Sequence, residues 1–533
     1  MKPIPNCLLL IYLLIVSCVY GQNDTITKRW GYWQNWGDMG NGTYKNPVLP
    51  ADFSDIDCIR VGTDFYAVSS TFQYSPGFVI LTSKDLVNWK ILSHAVDDVA
   101  KISPELNWDR MGRYGRGIWA GAIRYHANKF WIYFGTPDEG YFMSTSAKAE
   151  GPWAPLQQVL AKKGWDDCCP FWDDDGQGYL VGTNFSDHYK IHLFKLTHGG
   201  NAIIEGSDKV IHQSNGSEAN KLYKIKGAYY HLFSEVKAGG GRALMMERSQ
   251  NIYGPYTEQK QLSNIQKEFN EPNQGGLIEL LNGDWYFLTH HGSGDWSGRV
   301  LSLLPVTWVD GWPIIGKVEK DTIGSMVWSG AMPVKNTEIM KPQTSDEFSE
   351  STLSPQWEWN YQPRSSKWSL RQRRGWLRLY AFKAIGSGNL LKAGNTLTQR
   401  TYRTSINEVI VKMDIGKMAD GQQAGISHFG SPDFSTFGIT CNGAKKMLEI
   451  RFKAQVLRGP VISKNILWLK SAWGLDGKSY YSYSLDGISF IPFGNMYQLL
   501  WQSFRGDRIA IFNYNNKALY GYIDVDYFHY ILQ

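Results

Sequence analysis

Three carboxylates, Asp55, Asp167 and Glu218, stand at one recurring place in this chain. The place is set by a unit that repeats five times: an apolar stretch, a polar or glycine-bearing turn, aromatics, then an alternating strand. The turns are Gly62-Thr63-Asp64, Ala127-Asn128, Asp174-Asp175-Gly176, Lys226-Gly227 and Asn282-Gly283-Asp284. Seven or eight residues before them lie Asp55, Trp119, Asp167, Glu218 and Gln274. Each of the three acids opens a mostly apolar segment, and apolar surroundings raise the cost of ionisation and drive the pKa values of neighbouring acids apart. One carboxylic acid to protonate a leaving oxygen, and one carboxylate to activate water or attack, is the equipment for cleaving a glycosidic bond. Singly, each acid has a plainer use: Asp55 could cap a turn beside Asp52 and Asp57, Asp167 could sit in a loop beside Asp166, and Glu218 could be a solvated charge. Sharing one position of a repeat favours the joint reading.

The elements that must position these acids follow from the same repeat. Successive turns are about 45 to 65 residues apart, room for four short strands and their turns, which is one blade of a β-propeller. Runs such as 130–134 and 285–288 alternate or are wholly apolar, as strands do, and long amphipathic periodicity is absent. Five units between about residues 45 and 320 make a five-bladed propeller, in which innermost strands start around the central channel and equivalent positions ring one mouth of it. The pattern stops after Trp312-Pro313. Residues 332–345, with Pro333 and Pro342, read as a linker. New alternating stretches then begin at Trp357-Glu358-Trp359, 376–380 and 409–413, and the last is 522–527; without blade periodicity they imply an antiparallel β-sandwich. The chain is therefore all-β: propeller over 22–331, linker over 332–345, sandwich over 346–533.

Composition agrees and excludes other classes. The 533 residues are 14% aromatic, with 22 Trp and 30 Tyr. That surplus suits stacked sheets and also flat rings laid on the C–H faces of sugars. The net charge of +6 has no concentrated basic stripe, since Arg371, Arg373 and Arg374 are broken by Gln372, so nucleic acid is not an expected partner. Lys2 followed by the apolar run 8–16 reads as a signal peptide over 1–21. Val19-Tyr20-Gly21 suits ordinary cleavage before Gln22; Ile15-Val16-Ser17-Cys18 suits lipoprotein processing at Cys18. The expectation is an exported protein, periplasmic in a bacterium, with lipid anchoring through Cys18 or secretion as alternatives. No later stretch is long and apolar enough to span a membrane. Cys58, Cys168, Cys169 and Cys441 form neither a disulfide framework nor a zinc pattern. Strand alternation sends Cys168 and Cys169 to opposite faces, so two free, buried thiols are expected. Asp173-Asp174-Asp175-Gly176 looks like a calcium loop but lacks the alternating ligand spacing, and a hairpin turn is expected there.

At these residues the sequence resembles glycoside hydrolase family 43, which contains β-xylosidases and α-L-arabinofuranosidases. The resemblance runs in order through Asn46-Pro47-Val48-Leu49-Pro50, Asp52-Phe53-Ser54-Asp55, Ile59-Arg60-Val61-Gly62, Ser70-Thr71-Phe72 and Ser83-Lys84-Asp85-Leu86-Val87-Asn88-Trp89. It continues through Gly117-Ile118-Trp119-Ala120, residues 171–176 and residues 217–224. Further on, Asp346-Glu347-Phe348, Trp357, Lys367-Trp368-Ser369-Leu370 and residues 395–400 resemble the concanavalin-like sandwich attached to many members. The resemblance implies Asp55 as general base, Glu218 as general acid and Asp167 as the acid that raises the pKa of Glu218 and orients it. It implies inversion, with base and acid roughly 6.5–9.5 Å apart. It further implies sugar contacts from Phe72, Trp119 and Arg299, and an aromatic from a sandwich loop, for which Phe504 is the candidate.

Two positions depart from the family pattern. Ile56 stands where many relatives have proline after the base, and Gln274 stands where some have a histidine that helps hold a metal. No metal or other cofactor is therefore assigned, with a structural calcium left open. The leading expectation is an exo-acting α-L-arabinofuranosidase acting on an oligosaccharide or polysaccharide, the arabinose side groups of xylan or xyloglucan. A β-xylosidase is the runner-up, and a non-catalytic carbohydrate-binding protein is the alternative from another class.

Overall fold

The computed structural model describes residues 37–265, 271–290, 294–335, 337–386 and 389–532. The expected signal peptide, with both of its exits, lies outside the described residues.

Five four-stranded antiparallel sheets follow one another along the chain. The first blade comprises Asp57–Val61, Asp64–Ser69, Gly77–Ser83 and Trp89–Val96. The second runs from Gly121–His126 to Gln157–Ala161, the third from Trp165–Trp172 to Lys209–Gln213. The fourth runs from Glu218–Ile225 to Glu258–Gln261, and the fifth from Gly275–Glu279 to Trp312–Ile315. Each of the five turns read from the sequence joins the first strand of a blade to the second. Ala127-Asn128 and Lys226-Gly227 take positive φ at both residues, the hairpin geometry that matches strand twist. Asp174-Asp175-Gly176 is likewise a hairpin turn, closing Trp172 against Gly178.

The five first strands converge on the propeller axis. There Arg124 Nη1 sits 2.6 Å from Asp57 Oδ2 and Nη2 donates to Cys169 Sγ at 2.8 Å, while Tyr223 Oη accepts from the Leu277 amide. A side-chain cation thus fills the middle of the ring. Cys168 and Cys169 are free and buried, and they pack into different apolar clusters, Cys168 with Trp165 and Leu180 and Cys169 with Val181 and Leu222. Burial pushes the Cys168 thiol well above its ordinary range. Among the described residues each blade takes all four of its strands from its own stretch of chain. Val48 and Leu49 bond to Leu301 of the fifth blade, and Thr43–Lys45 pairs with Ser329–Ala331.

Two larger sheets form the sandwich. One orders Gln455–Val461, Lys445–Phe452, Ser435–Asn442, Gln422–Phe429, Arg508–Asn515, Leu397–Arg400 and Glu358–Asn360. Its last strand is Tyr74–Ser75, contributed by the first propeller blade. The other is centred on Tyr522–Leu532, Asn407–Asp414 and Ile466–Trp473, whose alternate residues Val409, Val411 and Met413 point into the core. One continuous apolar core runs from Phe53 and Trp89 of the propeller to Trp357 and Phe528 of the sandwich. Across the same junction the fully buried Glu358 pairs with Arg400 (2.8 Å), Arg508 (2.6 Å) and His94 (3.1 Å). Burial alone would push that carboxyl up; the two guanidinium groups outweigh it and hold the group well below the usual carboxylate range.

Candidate active site

All three acids sit where the backbone leaves regular strand geometry. Asp55 precedes the first blade with φ +57°, and Asp167 has φ +53° inside a bulge, the pairing register of its strand shifting between Asp166 and Cys169. Glu218 opens its strand at a second bulge, with φ +66° at Ala219 and a register shift between Glu218 and Lys221. Bulges of this kind re-aim side chains, and here they release Asp167 and Glu218 from strict strand alternation, in a place where each lies in the field of the other acids. Aspartate tolerates the left-handed region; alanine does so at a cost, which marks the fourth blade as locally strained for the sake of the site.

The surroundings of the acids differ. Asp55 is buried. Its Oδ1 takes a hydrogen bond from Arg299 at 2.5 Å, its Oδ2 one from the Ser70 hydroxyl at 2.6 Å, and its own amide donates to His290 Nδ1 at 2.7 Å. Asp167 is also buried and accepts from Gln274 Nε2 at 2.8 Å. Burial, then the charges of Glu218 and Asp55, raise its pKa, opposed by Lys221 and a hydrogen bond from the Ala219 amide. Glu218 is the most open of the three, its side chain 31% exposed, with Arg242 at 3.3 Å. Its pKa is raised by burial and by Asp55, with Arg242 and Arg299 pulling the other way. Pairwise repulsion is reciprocal, so the charge of Glu218 on Asp167 acts back on Glu218, and the acids titrate as a cluster. Behind Asp167, Asn220 donates to its carbonyl at 3.0 Å and contacts His231 at 3.0 Å, which in turn contacts Glu247 at 2.8 Å.

The four aromatic and cationic residues expected to meet sugar come together at the same mouth. Arg299 reaches both Asp55 and the ring of Phe504, whose centroid is 5.9 Å from the guanidinium. Phe504 is 54% exposed and faces Trp119 at 6.5 Å between ring centres, although it belongs to the sandwich. Trp119 donates its indole N–H to the Gly115 carbonyl at 3.0 Å. Phe72 is bridged to Ile118, the neighbour of Trp119, by two backbone hydrogen bonds of 2.9 Å. Sequence reading did not single out Ser70, His290, Asn220, Arg242 or Phe185, which packs on Trp119 at 6.0 Å. Ser70 and Asn220 lie within the stretches that resemble the family; His290, Arg242 and Phe185 carry no local signal. Gln274 was noticed as the fifth member of the ring, but its bond to Asp167 was not.

Two acids with raised pKa, Asp167 buried and Glu218 partly open, beside a third acid held by a cation and a hydroxyl, are equipped for acid–base hydrolysis of a sugar bond. Residues 44–313 match the family model described as glycosyl hydrolases family 43. The chain belongs to that family. In this family 43 member, residues 345–531 also match a model described as a beta xylosidase C-terminal concanavalin A-like domain. Among curated relatives, a protein of Formosa agariphila named beta-xylosidase is 32% identical, with 93% of this chain and 91% of the relative covered. A non-reducing end alpha-L-arabinofuranosidase of Bacteroides ovatus is 30% identical, with 66% and 67% covered. Among solved structures, a mutant of the family 43 protein BlXynB from Bacillus licheniformis superposes with a TM-score of 0.79 at 26% identity, covering 92% of this chain and all of that one. The family 43 chain is a glycosidase with a propeller and a sandwich.

Proposed function

We propose that this glycosidase removes single terminal pentose units from hemicellulose by inversion. The observation that carries the reading is the joint placement of Asp55, Asp167 and Glu218 within one another's field, with Arg299 linking Asp55 to Phe504 and Phe504 facing Trp119. Glu218, with its raised pKa, gives its proton to the glycosidic oxygen as the C–O bond breaks. Asp55 takes a proton from a water molecule, whose oxygen attacks the anomeric carbon from the opposite face. Asp167 keeps Glu218 protonated by charge repulsion and positions it. Arg299 and Phe72 hold the sugar ring with the two roof aromatics. A sandwich-domain aromatic, Phe504, set against Trp119 and Arg299 of the propeller supports an exo-acting pocket closed by the second domain.

The released sugar is read from the relatives. Those covered over most of their length carry the name beta-xylosidase, which favours xylose from xylan-type chains. Terminal α-L-arabinofuranose, from arabinoxylan or xyloglucan side chains, is the second reading, supported by the Bacteroides ovatus relative. Parallel kcat/KM measurements on nitrophenyl β-D-xylopyranoside and α-L-arabinofuranoside decide between them, and a proton NMR time course of the first-formed anomer tests inversion. Retention of configuration, or no turnover of either glycoside, would overturn the mechanism as written. Export is proposed from the leader alone and is tested by fractionating cells that express the full chain.

A further inference from the structure

Arg505 is fully buried, yet among the described residues its only hydrogen-bond partner is the amide of Gln73. Its Nη2 donates to Gln73 Oε1 at 2.6 Å, while Nε and Nη1 make no hydrogen bond among the described residues. Instead the guanidinium lies over three rings, Tyr74 at 4.5 Å, Phe72 at 4.6 Å and Tyr114 at 5.2 Å. A desolvated cation on aromatic faces is held by the ring quadrupoles. A buried guanidinium with unmatched donors is costly, so its retention asks for a reason.

The reason is in what those partners touch. Phe72 is a proposed sugar contact and is held at φ +57°, a strained value for a bulky residue. Gln73, also fully buried, shares its Oε1 between Arg505 and the Gly115 amide at 3.0 Å, and its Nε2 donates to Asn360 of the sandwich at 3.2 Å. The Gly115 carbonyl in turn receives the indole N–H of Trp119. Arg505 therefore reaches both aromatic sugar contacts of the propeller, one directly through its face and one through Gln73 and Gly115. It follows Phe504 in sequence, so the loop that presents the roof also carries this brace. We propose that Arg505 is a positioning residue: a cation of the sandwich domain that sets Phe72 and Trp119 in the sugar subsite, so that the propeller's pocket takes its binding shape only with the sandwich docked. The inference rests on the proposed sugar contacts of Phe72 and Trp119.

The experiment uses the full-length enzyme and the nitrophenyl glycoside it prefers, with Arg505→Met, Arg505→Lys, Phe72→Ala and Trp119→Ala compared by KM, kcat, inhibition by free pentose and thermal unfolding. Displacing contact residues by a fraction of an ångström weakens sugar binding, so Arg505→Met is expected to raise KM and the pentose inhibition constant about tenfold. Both limbs of the pH profile should stay in place, because the carboxylates are untouched. Arg505→Lys, which keeps the cation but not the planar stack, should recover part of the loss. A residue that only held the fold would lower the active fraction, and hence apparent kcat, at unchanged KM; that result overturns the proposal. If Arg505→Met does not fold, Arg505→Lys decides: a KM raised severalfold supports the role and an unchanged KM refutes it. If Phe72→Ala and Trp119→Ala both leave KM unchanged, the sugar-contact reading itself fails and takes the inference with it. If they raise KM while folded Arg505 variants do not, only the positioning role falls.

Discussion

Glu358 and Asp167 are both buried carboxylates, and the protein treats them in opposite ways. Glu358, at the junction of the two domains, has two arginines and a histidine within 3.1 Å, and its pKa is driven down. Asp167, at the channel mouth, has an amide for its nearest side-chain partner and two other acids in its field, and its pKa is driven up. Burial is common to both and pushes both the same way, so the charge of the neighbours decides the sign. A compensated acid locks two domains together. An under-compensated acid makes ionisation costly for itself and for the acid beside it, at a cost in stability that the large shared core can absorb.

The largest effect that would break this contrast is at the base. Asp55→Asn keeps the shape but gives up the ion pair with Arg299 and cannot accept the proton of water. We expect kcat to fall by at least about a thousandfold with KM little changed. A correctly folded variant with near-normal turnover would remove Asp55 from the mechanism.

Glu218→Ala sharpens the contrast through the leaving group. On natural glycosides, whose departing alkoxide needs a proton, a loss of about a hundredfold or more is expected. Aryl glycosides with good leaving groups should be spared, because they depart unprotonated. Equal losses on both substrates would make Glu218 a sugar-binding group.

At the junction, Glu358→Gln leaves Arg400 and Arg508 buried without their counter-charge. Breaking a buried pair in this way costs about 3–5 kcal/mol, to be seen as a lower midpoint in denaturant or heat. Both limbs of the kcat/KM profile should remain where they were, since this acid takes no part in proton transfer. A shifted limb at unchanged stability would erase the division of labour between the two acids.

The smallest effect is the most diagnostic. Asp167→Asn removes a negative charge that opposes ionisation of Glu218, so the pKa of Glu218 should fall. In the proposed mechanism the active form has Glu218 protonated, and the alkaline limb should therefore move to lower pH. Each unit of movement corresponds to about 1.4 kcal/mol of interaction. An alkaline limb that stays put, with only the rate reduced, would leave Asp167 as an orienting group.

The amino-acid sequence alone determined the blades, because their evidence is local. Turn residues that accept positive φ, such as Asn128 and Gly227, and period-two alternation act over a few residues and recur in each unit. The carboxylates were legible for the same reason: one place in the repeat becomes one place around a ring. The free Cys168-Cys169 pair followed from strand alternation. What occupies the space between those positions was decided only by tertiary structure. Arg299 meets Asp55 across 244 residues, Gln274 meets Asp167 across 107, and Arg505 meets Gln73 across 432. No periodicity encodes such pairs. They exist because closing the propeller brings the fifth blade against the first, and because Tyr74–Ser75 leaves its own blade to finish a sheet of the sandwich. That strand joins the shared core and the bond from the Asp507 amide to the Trp296 carbonyl in docking the second domain on the propeller, and its two residues gave no sign of it in the sequence.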